Sequence, residues 1–310
     1  MNELKTKFGA EKLGRLKKVL LHSPIESLPV ISEDNYKYHL FNFVPEIDQY
    51  LKEYEQYAQI LREHDVQVLF VRDFVRQTKD LLPILPNLPY LHDTAVITSK
   101  GAILSKMCPG SRAGEEQVVK EALTNIGIPI FHEFKTHEKF EGCLMLSPAA
   151  LIIVNTERSN PGTIEGFFSK ALEIFEEIIY VEAPQARRFM HADMIFSRIS
   201  EDLALYFPPA FLKTYLISKQ KRMEIDFKSY LEKKSIELIP ISDEEQRNWG
   251  CSFVPLEPKK FIHYDLALDV QTKKALNERG VQIHEFRPKA LLAGGGSLRC
   301  LTLRLWRASN

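Results

Sequence analysis

Cys300 stands at the end of the run GGGSLRC, between a Gly294-Gly295-Gly296 turn and an apolar LTLRL stretch. A cysteine thiolate attacks carbon far better than a thiol does, and a neighbouring cation favours the thiolate. His191 and Asp193 form an H-x-D pair in FMHADMIF, Glu141 lies in FEGCLML, and Asp93 closes LPNLPYLHD. Carboxylates match the fork of N–H donors on a planar guanidinium, so Asp93 and Asp193 are suited to hold one, with Glu141 as a third acceptor. Such a substrate would itself supply the cation that favours a thiolate at Cys300. His191 can protonate a departing amine and then deprotonate a water, and Glu141 can orient the imidazole. Together the set suits covalent attack on the carbon of a guanidinium or ureido group. Singly, each residue has a plainer reading: a core thiol, a solvated H-x-D pair, a turn-capping Asp, a glycine loop with positive φ angles.

The elements that would position these residues repeat along the chain. Residues 95–105, 144–154, 194–207 and 253–265 each read as an apolar strand, a polar turn and a second apolar strand. After three of them come an amphipathic helix and a further strand: EEQVVKEALTNIG into IPIFHEF, IEGFFSKALEIF into EIIYVEAP, and QTKKALNERG into VQIHEFRP. The N-terminal part fits the same unit, with KKVLLHS, the helix IDQYLKEYEQYAQILREH and VQVLFVRD. After the hairpin at 194–207, residues 211–234 read as helix and IELIPIS as strand. The expectation is an α/β fold of about five ββαβ units in one domain over residues 1–310. No G-x-G-x-x-G follows a first strand, which argues against a Rossmann domain. Asp93, Glu141 and the His191/Asp193 pair each directly precede a hairpin. In a ring of such units, equivalent points converge on the axis, so these residues and Cys300 are expected around one central pocket.

At these residues the chain resembles the arginine deiminase family, within the guanidino-group-modifying, or pentein, superfamily. LPNLPYLHD resembles L-P-N-x-x-F-T-R-D, FEGCLML resembles E-G-G-D, VNTERSN resembles G-x-x-E-R-[ST], and EAPQARRFMHADMIF and GGGSLRCLT resemble the segments around the family's His, Asp and Cys. The resemblance implies a pentein, a five-bladed α/β propeller of ββαβ units with pseudo-fivefold symmetry. It implies Cys300, His191 and Glu141 as catalytic, with Asp93 and Asp193 on the guanidinium. Asn87, Arg112 (from SKMCPGSRAGE) and Arg158 then fall near the substrate's α-carboxylate. The implied reaction is hydrolysis of free L-arginine to citrulline and ammonia through an S-amidino-cysteine intermediate. Arginine dihydrolase, citrulline hydrolase and amidinotransferase activities are the neighbouring readings, and a catalytically inactive pentein acting as a binding module is the reading from another class. The sequence departs from the family in carrying Leu144 for the second acid of E-G-G-D and His92 for the Arg before Asp93. It is also shorter than bacterial arginine deiminases, lacking a helical insertion between the second and third units.

Composition narrows the remaining classes. Lys+Arg and Asp+Glu both total 41, so the chain has no basic excess for nucleic acid or an anionic membrane. The charged N-terminal residues hold no leader-peptide core, and no apolar run is long enough to span a bilayer. Four scattered cysteines without a C-x-x-C pair form neither a disulfide framework nor a zinc site. A cytoplasmic enzyme without metal or cofactor is expected, its partner a small guanidino or ureido amino acid, with a homodimer left open.

Overall fold

The computed structural model describes residues 7–309; the reading of the extreme N-terminus as free of a leader peptide falls partly on residues 1–6, outside that range. Contacts gather into two compact units, one containing Leu16–Lys135 and Pro288–Ala308 with the residues up to Ala10, the other containing Thr136–Arg287 with Glu11–Arg15.

In the first unit, β1 (Leu16–Leu21) runs parallel to β2 (Gln67–Phe70), and α1 (Ile47–Glu63) makes the crossover. The Glu46 carboxylate starts that helix by accepting the Gln49 N–H, one of the donors a helix start leaves without an internal partner. Next, β3 (Ala95–Thr98) and β4 (Gly101–Leu104) form a hairpin; α2 (Glu115–Ile126) lies between left-handed glycines at 114 and 127, and β5 (Ile130–Glu133) runs parallel to β4. Gly101 is required at its turn, since φ is +127° and a Cβ there would strike the Pro129 carbonyl. Leu104, Val118, Val119 and Leu123 are fully buried in the core under this sheet.

The second unit carries three sheets. The hairpin β6 (Leu144–Ser147)–β7 (Ala150–Asn155) is followed by α3 (Pro161–Ala171) and by β8 (Glu177–Glu182), parallel to β7. The hairpin β9 (Phe196–Arg198)–β10 (Leu203–Tyr206) leads into β11 (Lys213–Ile217) and β12 (Arg222–Glu224), then α4 (Phe227–Glu232) and β13 (Glu237–Pro240), parallel to β10. After α5 (Asp243–Arg247), the hairpin β14 (Val254–Glu257)–β15 (Lys260–Tyr264), α6 (Val270–Glu278) and β16 (Gln282–Phe286) complete the last sheet.

One segment differs from its expectation. Residues 211–234 hold a hairpin and a six-residue helix rather than one long helix. The KTYLI stretch is rich in β-formers, Ser218–Lys221 makes the turn, and β11 pairs antiparallel with β8, widening the β6–β8 sheet to five strands.

The chain then returns to the first unit, where β17 (Leu303–Arg307) pairs antiparallel with β1. Among the described residues each of the five sheets therefore contains the same motif: an antiparallel pair, with a third strand parallel to the second. In the first sheet the pair is β17 and β1, so that repeat is assembled from the two ends of the described chain.

Candidate active site

In the first unit, Asp93 ends a single helical turn, Leu91–Asp93, that runs straight into β3. Arg112 ends a similar turn, Gly110–Arg112, just before α2. The two meet: Arg112 Nη1 donates to Asp93 Oδ2 at 2.7 Å, Nε donates to Glu115 Oε2 at 3.0 Å, and Nη2 to the Tyr90 carbonyl at 3.1 Å. Asp93 and Arg112 are 5% and 4% exposed and Glu115 is fully buried. Arg112 thus shares its guanidinium between two buried carboxylates. Asn87 is also buried, and its Nδ2 donates to the His39 carbonyl at 2.7 Å.

Cys300 is buried in the turn that leads into β17. Its N–H donates to Ser297 Oγ at 3.3 Å, and that hydroxyl lies 3.3 Å from the sulfur. Its carbonyl accepts the N–H of His92 at 3.0 Å, which ties the thiol's segment to the residue before Asp93. The glycines upstream serve close packing more than positive φ, which only Gly295 of the three adopts, at 70°. A Cβ on Gly294 would overlap the Tyr90 hydroxyl, and one on Gly296 would sit 2.6 Å from Tyr90 Cε1.

In the second unit, His191 immediately precedes the turn Ala192–Met194, which bears Asp193 and feeds β9 just as the Asp93 turn feeds β3. Glu141 lies outside helix and strand, three residues before β6, and is followed by Gly142 at a φ of 68°. His191 Nε2 and Glu141 Oε2 are 2.9 Å apart; with the carboxylate ionised, Nε2 carries the hydrogen. Arg158 Nη1 lies 3.5 Å from the same carboxylate oxygen, and its Nε donates to Glu157 at 3.2 Å. Ser252 donates a hydroxyl hydrogen bond to Asp193 Oδ2. All four charged or titratable groups, Glu141, Arg158, His191 and Asp193, are buried.

All four cysteines are thiols. Burial pushes the Cys143 thiol far up, so it stays protonated at neutral pH. Among the described residues no group of three or more His, Cys, Asp and Glu side chains could hold a metal ion, and no helix is long and apolar enough to cross a membrane.

The sequence model of the arginine deiminase family matches residues 76–307, a span that includes all eight candidate residues. The chain belongs to that family. With it comes membership of the guanidino-group-modifying, or pentein, superfamily. Arginine deiminase from Lactococcus lactis subsp. lactis (strain IL1403) is 22% identical, with 96% of this chain aligned to 97% of that one. The alignment spans 400 residues, more than this chain has, so the Lactococcus protein carries segments without a counterpart here. Among solved structures, AgrE in complex with ornithine and NAD+ superimposes with a TM-score of 0.72 at 20% identity; the match takes in 94% of this chain but 40% of AgrE. The N-terminal domain of ArgZ, a cyanobacterial arginine dihydrolase, gives 0.71 at 19% identity over 93% of this chain and 97% of that domain. At these identities the likeness establishes a shared α/β fold.

Two departures from the arginine deiminase motifs have visible local consequences. His92, where the family has Arg, accepts a hydrogen bond at Nε2 from Arg299 Nε at 3.4 Å. Leu144, where the family has a second acid, opens β6 as a buried strand residue. Partners that the sequence reading did not name are Tyr90, Glu115, Ser252 and Ser297. Glu115 and Ser297 stand three residues from Arg112 and Cys300 and were open to discovery by spacing. Ser252 is 59 residues from Asp193 and had no local signal.

Proposed function

We propose that this protein is a cytoplasmic hydrolase that converts free L-arginine to citrulline and ammonia, with Cys300 as nucleophile. The observation that carries the reading is the hydrogen bond from the His92 N–H to the Cys300 carbonyl, because it joins the thiol's segment to the turn bearing the guanidinium-binding Asp93. In this reading the five sheets are blades of one pentein propeller domain, and the two polar sets act on one substrate. The Cys300 thiolate forms a bond to the guanidinium carbon, and one C–N bond breaks as His191 protonates the amino group, which departs as ammonia. Water, losing a proton to His191, then attacks the S-amidino carbon and expels the thiolate, which leaves citrulline. Asp93 and Asp193 hold the guanidinium; Glu141 keeps His191 oriented. Asn87, Arg112 and Arg158 serve the α-carboxylate, and for Arg112 this requires that substrate draw it away from Asp93.

Incubation of the purified protein with arginine and with citrulline, with products identified by mass spectrometry, tests the proposal. Citrulline and ammonia from arginine are expected, and Cys300→Ser should abolish their formation while the protein stays folded. Ornithine would instead support dihydrolase or citrulline hydrolase chemistry, transfer to an added amine an amidinotransferase, and no turnover the binding-module reading. Agmatine, which lacks the carboxylate, should be turned over about 30- to several-thousand-fold less efficiently than arginine, corresponding to about 2–5 kcal/mol of lost charge pairing. Equal efficiency on both substrates would remove the carboxylate clamp.

A further inference from the structure

One face of α1 is polar and yet fully buried. Tyr50, Glu53, Tyr54 and Tyr57 follow an i, i+3, i+4, i+7 pattern, and each is no more than 2% exposed. A helix face with this spacing usually carries aliphatic side chains toward a core. Here each side chain ends in hydrogen bonds; Glu53 and Tyr57 bond the segment around Cys300, Tyr50 bonds Tyr90, and Tyr54 accepts the His22 N–H.

Glu53 makes the most contacts. Its Oε2 accepts the backbone N–H groups of Lys289 and Leu291 at 3.0 Å each, and its Oε1 accepts the N–H of Ala290 at 3.2 Å and Gln49 Nε2 at 2.8 Å. Residues 289–291 begin the single-turn helix Ala290–Gly294 that opens into the glycine run before Cys300. Beyond Cys300, the Tyr57 hydroxyl bonds Thr302 Oγ1, which also donates to the Leu298 carbonyl at 2.8 Å. Between these two anchors, the Tyr50 hydroxyl lies 3.1 Å from that of Tyr90, the ring packed against Gly294 and Gly296. Burial pushes Tyr50 up to about 12 and Tyr57 higher still, so both phenols keep their protons at neutral pH.

We infer that Glu53 and Tyr57 are positioning residues for the reaction, holding the start and the end of the segment that carries the Cys300 thiol. The inference rests on the proposed role of Cys300 but assigns work to a helix that carries none of the chemistry-bearing motifs. A loop with three consecutive glycines has many accessible conformations, and a nucleophile displaced by about 1 Å can lose on the order of a hundredfold in rate. A buried carboxylate with four N–H donors confines the start of that loop more narrowly than apolar packing would.

The full-length wild type is compared with Glu53→Gln, Tyr57→Phe and, as control, Glu121→Gln. Glu53→Gln keeps size but turns one acceptor oxygen into an N–H donor facing backbone N–H groups. Glu121 makes the same kind of capture at another place, accepting the N–H groups of Arg76, Gln77 and Thr78. Three quantities are read: kcat and KM for arginine, the iodoacetamide labelling rate of Cys300 against that of Cys108 by peptide mass spectrometry, and the melting temperature. Glu53→Gln should lower kcat about tenfold or more with KM within about threefold, and should change the Cys300 labelling rate while leaving that of Cys108 as it was. Tyr57→Phe should do the same to a smaller extent. Glu121→Gln should lower the melting temperature and leave kcat and Cys300 labelling unchanged. Folded Glu53→Gln with wild-type kcat and Cys300 labelling overturns the inference. If Glu53→Gln fails to fold, Tyr57→Phe decides alone, and unaltered Cys300 labelling in it overturns the inference. A wild type without turnover refutes the proposed function, and the labelling ratios still decide the positioning role.

Discussion

Arg112 on Asp93 shows what three buried charges demand of one another. Its guanidinium satisfies two carboxylates at once, Asp93 and Glu115, in a region nearly closed to water. Removing the cation leaves both carboxylates buried against each other, so Arg112→Ala should destabilise the protein by about 3–5 kcal/mol, read as a fall in the denaturation midpoint. Arg112→Lys keeps the charge but not the planar fork, and should cost less than Arg112→Ala. In the second unit, Glu141→Gln leaves His191 without an ionised partner at 2.9 Å. A drop in kcat of about 10²–10⁴-fold is expected, with the folded state retained by circular dichroism. Cys143→Ala should keep turnover, because burial holds that thiol protonated and unreactive. At this scale the sequence points to residue types that could do chemistry, and Asp93, Glu141 and the His191/Asp193 pair each stand just before a hairpin. It did not reveal that Asp93 and Arg112 contact each other, because a motif fixes residue positions along the chain and says nothing of where a long, flexible guanidinium side chain turns.

Elements were legible where periodicity and turn chemistry agreed. The four hairpins and helices α1, α2 and α6 carry clear alternation or a 3.6-residue apolar stripe, and glycines or polar residues end them. Residues 211–234 misled because Leu212, Leu216, Met223 and Phe227 mimic a helical stripe, while the pairing that makes Lys213–Ile217 a strand comes from β8, more than thirty residues upstream. The glycine run was read as a matter of backbone freedom, and two of its members answer instead to the Tyr90 ring. Gly296→Ala should therefore cost about 1–3 kcal/mol through overpacking, and pairing it with Tyr90→Ala should recover part of that loss, a coupling that thermal unfolding of the two single variants and the double variant would measure. Glu121 on α2 offers a test against pH. Burial pushes its carboxyl up, but hydrogen bonds from Gln77, Thr78 and Arg76 outweigh that and bring it down from 4.5 to about 2. A depressed folded-state value means that its stabilisation is present above about pH 4.5 and is lost as pH falls toward 2. Unfolding free energies from pH 6 to pH 2 should decline less steeply in Glu121→Gln than in the wild type.

At the scale of the molecule, the repeat was the most legible feature, since five sheets share one three-strand motif and four of them build its antiparallel pair from strands consecutive in sequence. The first does not: Leu16 of β1 pairs with Arg307 of β17. No local signal announces a partner at that separation, though both segments read as strands. Deleting residues 303–307 should expose one edge of β1, remove Leu303 and Leu305 from the core and so uncover Leu20, and leave a first unit that fails to unfold cooperatively in urea. The same pairing governs when the first sheet can form. Ribosomes add roughly 5–20 residues per second, so β1 waits on the order of 15–60 s after its own synthesis for the strand that completes its sheet. Throughout that interval residue 300 is unmade or still inside the exit tunnel, so its carbonyl cannot yet accept the N–H of His92 beside the Asp93 turn. The sheet whose first strand is made earliest is therefore the last of the five to be completed.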